Sequence, residues 1–581
     1  MRKSIGFWVL IVAGLSVARA QSPIPEELIA YPQWILHNGK ILTVDQNFSI
    51  AEAVAIRDGK FLAVGPSQQV LRLQGPETRV VDLQGRMVIP GMIQTDADND
   101  FVGGNLYKET LIGGKIYGTL REVKTRQQIL DEVKKQVAAR PAGEMLYFRV
   151  AEEGEEAMRM TKADLDPVSP NHPVAVNVSS FDMVVNSRML DKVLEVLPGG
   201  ASHASVLKGP DGQPNGQIFG FAMGVAGWDL RPWPKIDEAI IQEQKEMFAN
   251  LHKRGVTSMV AHMQGFGLSI LNVLYHRDEL TMRVFAAHDF MRQNPNAEAY
   301  MRRIGNLMNF GLGDMVQIVG VGLSAMDGDA PNGSALTVRP KVSSGGFAFG
   351  PNGHNVWTSY GPLSTTIPKE QTEWSSLLTA IKYGWSSTGI HNVGDLARQI
   401  WMEGIEAGLN SPDLVLRPQF RPFGLDHNLF WMPDQYEQVK KLDMRFGLGK
   451  FQTNGAAQSM QLYGERIHNV QPVPELLRNN LKVHLEGADF TTLERYITRA
   501  DDRGRLWGPD QAIDRPTALR MVTIFAARFI GEEKNLGSIE KGKRADLAVL
   551  GADYLTVPAD KISDIPVDAT MVGGRIVYGS L

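Results

Sequence analysis

The stretch MVIPGMIQTDAD, Met87 to Asp98, decides how this chain of 581 residues is interpreted. A short apolar strand passes through Pro90-Gly91 and ends at two carboxylates, Asp96 and Asp98. Side chains two residues apart on a strand point to the same face of the sheet. Both carboxylates are therefore expected to point toward one place, where they would form a metal site or an acid/base site.

Downstream of this stretch, short apolar strands alternate with amphipathic helical runs, a pattern typical of a parallel α/β sheet. Eight strands are predicted, and they end near Asp98, His262, His288, Leu323, His391, His427, Gln452 and Asp489. Eight such units predict an α/β fold of the (β/α)8 TIM type over residues 87–536. The stretch from about 100 to 235 is too long for one connection, and it is predicted to be a cap insertion over the barrel mouth.

The two ends of the chain share another pattern, short β-strands separated by tight turns. Hairpins are predicted at Asn38-Gly39, Asp58-Gly59 and Gly573-Gly574. Residues 21–86 and 537–581 are therefore expected to build one small β-sandwich from both chain ends.

Composition narrows the class of protein. The net charge of −4 gives no reason to expect nucleic acid or an anionic membrane as a partner. The absence of cysteine excludes thiol nucleophiles and thiolate metal ligands, which leaves His, Asp and Glu. Residues 1–20 have the basic start, apolar run and small-residue end of a signal peptide, with cleavage predicted after Ala20. We therefore expect a periplasmic or secreted protein, with no membrane association beyond export.

Candidate functional residues lie where the predicted parallel strands end, which is where active sites of such barrels are built. Four of the twelve histidines fall at these positions, namely His262, His288, His391 and His427. Together with Asp96, Asp98 and Asp489 they favour a site over isolated structural histidines. Along KVHLEGADF, strand alternation places Lys482, His484 and Glu486 on one face and Asp489 on the other.

The chain resembles the amidohydrolase superfamily, and specifically amidohydrolase family 3, over nearly all of residues 21–581. The resemblance rests on VIPGMI, on IHNVGDLA and LDHN, on EGAD, and on the carboxyl-terminal run GSIEKGKRADLAVL followed by ATMVGGRIVY. It implies a metal-dependent hydrolase of amide bonds, or more broadly of C–N and C–O bonds. It also implies site roles for His391 (from IHNVGDLA), His427 (from LDHN) and Asp489 (from EGAD).

The chain departs from the pattern of the family at four positions, in three segments. Asp96-Ala97-Asp98 stands where the family has His-x-His. QIVGVGLSAMDGD lacks the bridging lysine, with Gly322 near its expected place, and Phe181 replaces a cap histidine. A standard binuclear centre is therefore not expected.

Three interpretations stay open. In the first, one divalent ion (Zn²⁺, Mn²⁺ or Fe²⁺) is held by Asp96, Asp98, His391 and Asp489, with His427 as a further ligand or carbonyl polariser. Bound water then becomes the nucleophile, Asp489 accepts its proton, and His262 and His288 support the site. In the second, no metal is bound, and the clustered carboxylates and histidines catalyse an isomerisation, elimination or hydration. In the third, the capped barrel has lost catalysis and binds a ligand.

We favour the first interpretation, because His391, His427 and Asp489 all remain and the replacements at positions 96 and 98 are both Asp, a competent ligand. The expected protein is a hydrolase with an atypical, at most mononuclear, metal site, acting on a small organic substrate with an amide or related bond. A homodimer is the default expectation for its assembly.

Overall fold

The computed structural model describes most of the chain outside the first 29 residues. Its described residues are 30–97, 101–102, 110–112, 115–117, 119–150, 155–178, 182–231, 234–263, 265–289, 298, 301, 311–322, 373–418, 422–449, 456, 460 and 464–581. The predicted signal peptide and Asp98 lie outside these residues. Among the residues described, no helix has the length and apolar character needed to cross a bilayer.

The two chain ends build two β-sheets. One four-stranded sheet is formed by Trp34–His37, Ala53–Arg57, Lys60–Gly65 and Arg79–Asp82. A six-stranded sheet combines both ends, from Lys40–Leu42, Ile50–Ala51, Met87–Pro90, Leu547–Leu550, Val567–Val572 and Arg575–Gly579. Leu547–Leu550 pairs antiparallel with Met87–Pro90, and a buried cluster takes side chains from both sheets. The six-stranded sheet therefore contains strands from both ends of the chain.

Two of the three predicted hairpins are present. Asp58-Gly59 joins Ala53–Arg57 to Lys60–Gly65, and Gly573-Gly574 joins the last two strands. The prediction at Asn38-Gly39 is wrong, because the strands on either side of this turn belong to different sheets. Both flanking strands carry buried apolar residues. Trp34–His37 adds its buried side chains to the four-stranded sheet and Lys40–Leu42 adds its own to the six-stranded sheet, so the two strands do not pair with each other.

The described residues between these ends include eight parallel strands, and we number them first to eighth along the chain. They are Met92–Gln94, Val256–Met263, Arg283–Asp289, Val316–Gly322, Ile390–Asn392, Gly424–His427, Arg445–Leu448 and Lys482–Leu485. The first four form one sheet, to which Gly311–Leu312 adds an antiparallel edge, and the last four form another. The strands end close to the predicted positions, and the mixed α/β class is confirmed.

Backbone hydrogen bonds connect the two parallel sheets at both edges. At one edge Val321 N–H donates to Ser386 O (3.0 Å) and Thr388 N–H donates to Val321 O (2.9 Å). At the other edge Thr95 N–H donates to Glu486 O (3.1 Å). The carboxyl ends of the first and eighth strands therefore lie side by side.

Helices follow or precede the parallel strands. The longer ones outside the inserted region are Glu238–His252, Gly265–His276, Glu373–Lys382, Asp395–Leu409, Tyr436–Lys441, Val473–Arg478, Phe490–Thr498, Arg515–Met521 and Ile524–Phe529. Ile93, Val260, Phe285 and Val319, one from each of the first four strands, pack with Phe529 into a buried apolar layer. Two residues beyond Ile93 and Val260 are the polar side chains of Thr95, just past the first strand, and His262, in the second. Polar side chains thus follow this apolar layer at the first two strands.

The predicted cap region forms a sheet of its own. Its seven strands are Leu111–Ile112, Lys115–Ile116, Leu146–Arg149, Val174–Asn177, Asp182–Val185, Val206–Lys208 and Pro214–Phe219. The helices of this region are Arg126–Ala138, Glu155–Met158, Lys162–Leu165, Ser187–Val196 and Gly220–Gly224. Two separate buried clusters line this sheet, so it is a folded layer with helices and not a loop.

Candidate active site

The candidate active site lies at the carboxyl ends of the parallel strands. Five polar side chains meet here: His262, His391 and His427 lie at the ends of three strands, and Asp96 and Glu486 follow the ends of the first and eighth strands. Sites of parallel α/β enzymes are built at this edge, because the strand ends point several side chains toward one volume.

Asp96, His427 and Glu486 form the centre of the site. One ligand atom from each lies within 4.8 Å of the other two, a spacing at which one metal ion can bind all three. Nδ1 of His427 is 3.0 Å from Oε2 of Glu486. The backbone N–H of His427 also donates to Oε1 of Glu486. Glu486 is 1% exposed, whereas Asp96 and His427 are half-buried and can meet a ligand.

The charges in this cluster are strongly coupled. Burial lowers the pKa of His427, but the negative charge of Glu486, Asp96 and Asp426 outweighs it and raises the pKa well above its ordinary value. Burial raises the pKa of Glu486, yet the charge and hydrogen bonds of His427 bring it below the ordinary value. His427 and Glu486 are therefore an ion pair in the metal-free protein.

Asp426 is a second buried carboxylate beside this pair. It is 1% exposed, and among the described residues neither of its carboxylate oxygens has a hydrogen-bond partner. Burial, followed by repulsion from Glu486, raises its pKa well above the ordinary value. Three carboxylates around one imidazole leave an excess of negative charge in a buried place.

The histidines form a row beside the cluster. The ring centroids of His427 and His391 are 4.5 Å apart, and those of His391 and His262 are 6.2 Å apart. Nε2 of His262 lies 3.3 Å from the backbone carbonyl oxygen of Thr388. His391 is half-buried, so of this row it and His427 are accessible to a ligand.

Two glycines make the space that His262 occupies. A Cβ at Gly322 would lie 2.3 Å from Cδ2 of His262, and a Cβ at Gly389 would lie 2.3 Å from Nε2. Both distances are shorter than any tolerated contact, so a side chain at either position would displace the imidazole. The ring of His262 therefore fills the volume that a lysine at residue 322 would need, which explains the glycine at this position.

Asp489 is not one of the three clustered side chains, and its partners lie elsewhere. Asp489 caps the helix Phe490–Thr498, with Oδ1 accepting the N–H of Thr492 at 2.7 Å, and Oδ2 lies 3.6 Å from Nη1 of Arg254. The roles of Asp489 as metal ligand and proton acceptor therefore stay predictions. The strand that precedes it ends at Leu485, so the chain turns into the helix before Asp489 can face the strand ends.

The remaining predicted site residues are Asp96, Asp98 and His288, and the structure describes two of them. The first parallel strand ends at Gln94, so strand alternation does not govern Asp96, and Asp98 lies outside the described residues. His288 packs edge-on against Trp385, with ring centroids 6.1 Å apart, and burial lowers its pKa to about 4. His288 is not one of the three side chains whose ligand atoms cluster, and the supporting role predicted for it stays a prediction.

Glu486 and Asp426 are the site residues that the sequence interpretation passed over. Strand alternation had placed Glu486 on one face with His484, whose Nε2 lies 2.7 Å from Oγ1 of Thr95 inside the same sheet edge. Asp426 directly precedes His427 in the sequence. Strand alternation in the sequence therefore indicates the position of Glu486, whereas the EGAD motif of the family indicates Asp489.

The fold and the site together define a parallel α/β enzyme with a carboxylate–histidine cluster at its strand ends. Within that class, the sequence profile described as "Amidohydrolase family" matches residues 79–302 and 388–578. These ranges make up well over half of the chain, so the chain belongs to the amidohydrolase family. The prediction of a hydrolase of this family is thereby confirmed.

Two curated relatives are similar over almost their whole length. N-substituted formamide deformylase of Arthrobacter pascens is 23% identical over 93% of this chain and 97% of its own. Protein LONG AFTER FAR-RED 3 of Arabidopsis thaliana is 23% identical over 94% of this chain and 91% of its own. Among solved structures, an uncharacterized metal-dependent hydrolase from Pyrococcus horikoshii has a TM-score of 0.59 at 20% identity, covering 90% of this chain and 99% of that chain. This last similarity supports the fold.

Proposed function

We propose that this protein is a hydrolase that holds one divalent metal ion with Asp96, His427 and Glu486. Its substrate is a small organic molecule with an amide or related C–N or C–O bond. The observation that carries the proposal is the cluster of these three side chains, whose ligand atoms lie within 4.8 Å of one another. Glu486 takes the part that the sequence interpretation had given to Asp489.

The residues present fit a divalent cation. Asp96, Glu486 and the nearby Asp426 carry more negative charge than His427 can balance, and both oxygens of Asp426 lack a hydrogen-bond partner among the described residues. A cation offsets the cost of burying such an excess of charge. Two carboxylates and one imidazole suit Zn²⁺, Mn²⁺ or Fe²⁺. When bound, the ion would supply Lewis-acid chemistry and a water of lowered pKa.

The side chains of the protein have separate tasks in this proposal. His391 is accessible and lies next to His427, so it is placed to donate a hydrogen bond to the substrate carbonyl oxygen. Asp96 is the more exposed of the two ligating carboxylates and is suited to accept a proton from the attacking water. Glu486 holds the proton on Nδ1 of His427 until a ligand displaces it.

Similarity to a relative suggests which substrates to try first. The Arthrobacter pascens protein is named for the deformylation of N-substituted formamides, and it matches this chain nearly end to end. N-substituted formamides and other small secondary amides are therefore the first class of substrate that we propose. The seven-stranded layer at residues 111–219 would cover the site and select among them.

A metal-independent acid/base enzyme is the second candidate function. It is favoured by the opposite protonation tendencies of neighbouring groups, since the pKa of Asp426 is raised and that of Glu486 is lowered. Such a pair can supply an acid and a base for an isomerase or a lyase. An inactive ligand-binding homologue is the third candidate.

We also propose the arrangement of the barrel, the cap and the terminal sheets, the export of the protein and its assembly as a homodimer. The hydrogen bonds at both edges of the two parallel sheets support a closed (β/α)8 barrel over residues 87–536, with a cap at about 100–235. The shared core of the terminal sheets supports a β-sandwich from residues 21–86 and 537–581. Export is proposed from residues 1–20, and a homodimer from the general frequency of such assemblies.

The test combines elemental analysis of the purified protein with hydrolysis of a panel of N-substituted formamides and amides. We expect about one divalent ion per chain and amide hydrolysis that chelation abolishes. Glu486→Gln should lower metal affinity at least about 10- to 100-fold, since it removes a charged ligand.

Asp489→Asn is the matched control, because it removes a carboxylate three residues away while keeping a side chain that caps the helix equally well. It should retain metal and activity. Loss of metal in Asp489→Asn but not in Glu486→Gln would restore the role predicted from the sequence. A metal-free wild-type protein with isomerase or lyase activity would favour the second candidate.

A further inference from the structure

The backbone at His427 has an unusual conformation for a residue with a side chain. His427 and Asn428 have φ angles of 74° and 37°, and these consecutive residues both lie in the left-handed region. L-residues avoid this region unless surrounding contacts impose it, and such positions cluster at functional sites. The sixth parallel strand ends at His427, so this conformation sets the direction in which the imidazole leaves the strand.

Gln471 is the side chain that holds this conformation from the far side. Its Nε2 donates to the carbonyl oxygen of His427 at 2.8 Å and to that of Gly449 at 3.1 Å. The backbone N–H of Gly449 donates to the same His427 carbonyl at 3.1 Å. Gln471 is completely buried and has a left-handed φ of 51° itself.

Tyr496 fixes the orientation of the Gln471 amide. The hydroxyl of Tyr496 lies 2.8 Å from the carbonyl oxygen of Gly449 and within hydrogen-bonding reach of Oε1 of Gln471. Because Nε2 carries two hydrogens and faces two carbonyl oxygens, the opposite orientation of the amide would set oxygen against oxygen. The Gln471 amide therefore has one favourable orientation.

Glu486 completes the arrangement on the other side of the same peptide. It accepts the backbone N–H of His427 and contacts Nδ1 of the ring, while Gln471 binds the carbonyl oxygen of His427. Two buried side chains thus hold the main chain of His427. Glu486, after the eighth strand, binds its N–H group, and Gln471, before the helix Val473–Arg478, binds its carbonyl oxygen.

We infer that Gln471, oriented by Tyr496, is a positioning residue that aims the His427 imidazole into the site. The expected effects on metal affinity and catalysis rest on the proposed function. The expected effect on the orientation of the His427 ring does not depend on it. Gln471 does not reach the cluster directly, so its influence passes through the carbonyl group of His427.

The test uses the full chain with Gln471→Met, which keeps the length of the side chain and removes both donors. Gln435→Met is the matched control. Gln435 is also a buried glutamine, with Nε2 donating to Asp395 O at 2.8 Å and Oε1 accepting from Arg398, and it contacts none of the cluster residues. Tyr496→Phe is a second, milder variant that keeps the ring and removes the hydroxyl.

Two readouts are measured at equal folded fraction. The first is the His427 ring signal in protein with isotope-labelled histidine, assigned by its loss in His427→Gln. The second is Zn²⁺ and Mn²⁺ affinity together with kcat and KM. We expect Gln471→Met to shift or broaden the His427 signal and to lower metal affinity or kcat about 10- to 100-fold, with little change in KM. Tyr496→Phe should do the same to a smaller degree, and Gln435→Met should change neither readout.

The outcomes separate this inference from the proposed function. An unchanged His427 signal in Gln471→Met, or an equal change in Gln435→Met, would overturn the positioning role. If wild-type protein binds no metal and hydrolyses no amide, the proposed function fails, yet a perturbed His427 signal in Gln471→Met alone would still support the inference.

Discussion

At the scale of single residues, the His427–Glu486 pair links metal binding to protons. The pKa of His427 is raised by the surrounding carboxylates, so its ring is protonated in the metal-free protein at neutral pH. A metal can bind only the neutral imidazole, and this proton must then leave. The raised pKa of His427 means that its stabilising contribution to the metal-free fold is complete below the ordinary histidine pKa and is lost as pH rises through the folded-state pKa. The lowered pKa of Glu486 has the opposite sign, so its contribution is lost as pH falls through that lowered pKa.

We predict that binding of Zn²⁺ or Mn²⁺ releases a proton and that affinity increases with pH through the neutral range. Titration calorimetry in two buffers of different ionisation enthalpy measures the number of protons released. His427→Gln should bind more weakly and lose this dependence on the buffer. Identical heats in both buffers for the wild-type protein would contradict the assignment of His427 as a ligand.

At the scale of secondary-structure elements, the fourth and fifth parallel strands leave a slot for His262. Gly322 ends the fourth strand and Gly389 directly precedes the fifth, and a Cβ at either would meet the His262 ring at 2.3 Å. The contact atoms belong to a ring that is buried in a close-packed interior, so it has little room to move.

We predict that Gly322→Ala lowers the free energy of unfolding by about 1–3 kcal/mol, because the added methyl group overpacks the slot. It should also reduce activity, since a displaced His262 pushes on His391. Urea unfolding and the amide assay measure the two effects.

Gly65→Ala is the control for this substitution, because a Cβ at Gly65, also on a strand, meets no atom within 4 Å. It should change stability by less than about 1 kcal/mol. Equal stability of Gly322→Ala and Gly65→Ala would show that the slot is not tight.

At the scale of the whole molecule, a buried ion pair joins the parallel strands to the terminal sheets. Arg283, in the third parallel strand, donates from Nε to Oδ2 of Asp546 at 2.7 Å, and its side chain is 2% exposed. Asp546 also accepts the N–H of Gly573 at 2.7 Å, beside the last hairpin. Burial lowers the pKa of Arg283, but the charges of Asp546 and Asp314 raise it overall, so the guanidinium stays charged.

We predict that Arg283→Met lowers the free energy of unfolding by about 3–5 kcal/mol, because it removes the guanidinium that donates hydrogen bonds to both carboxylate oxygens of the buried Asp546. Arg575→Met is the control. It breaks an exposed pair with Asp278 and should cost less than about 1 kcal/mol. Urea unfolding followed by circular dichroism compares them, and similar midpoints for the two variants would contradict a stabilising role for the buried pair.

The sequence alone determined the elements and their order. The parallel strands that end at Met263, Asn392 and His427 were predicted to within one or two residues, because apolar runs and their polar ends are local patterns. The composite terminal sheets were predicted for the same reason. The hairpin at Asn38-Gly39 was not, since the choice of partner strand depends on two sheets that local sequence does not describe.

The tertiary structure alone decided which of two nearby carboxylates enters the site. Glu486 and Asp489 are three residues apart, and the chain passes from strand to helix between them. Whether a carboxylate faces the cluster or caps a helix depends on where that transition falls, and the hydrogen bond from Thr95 N–H to Glu486 O holds the chain beside the first strand at this point. His262 and Gly322 are 60 positions apart along the chain, and His427 and Gln471 are 44 positions apart. Only the folded chain brings the two members of each pair into contact.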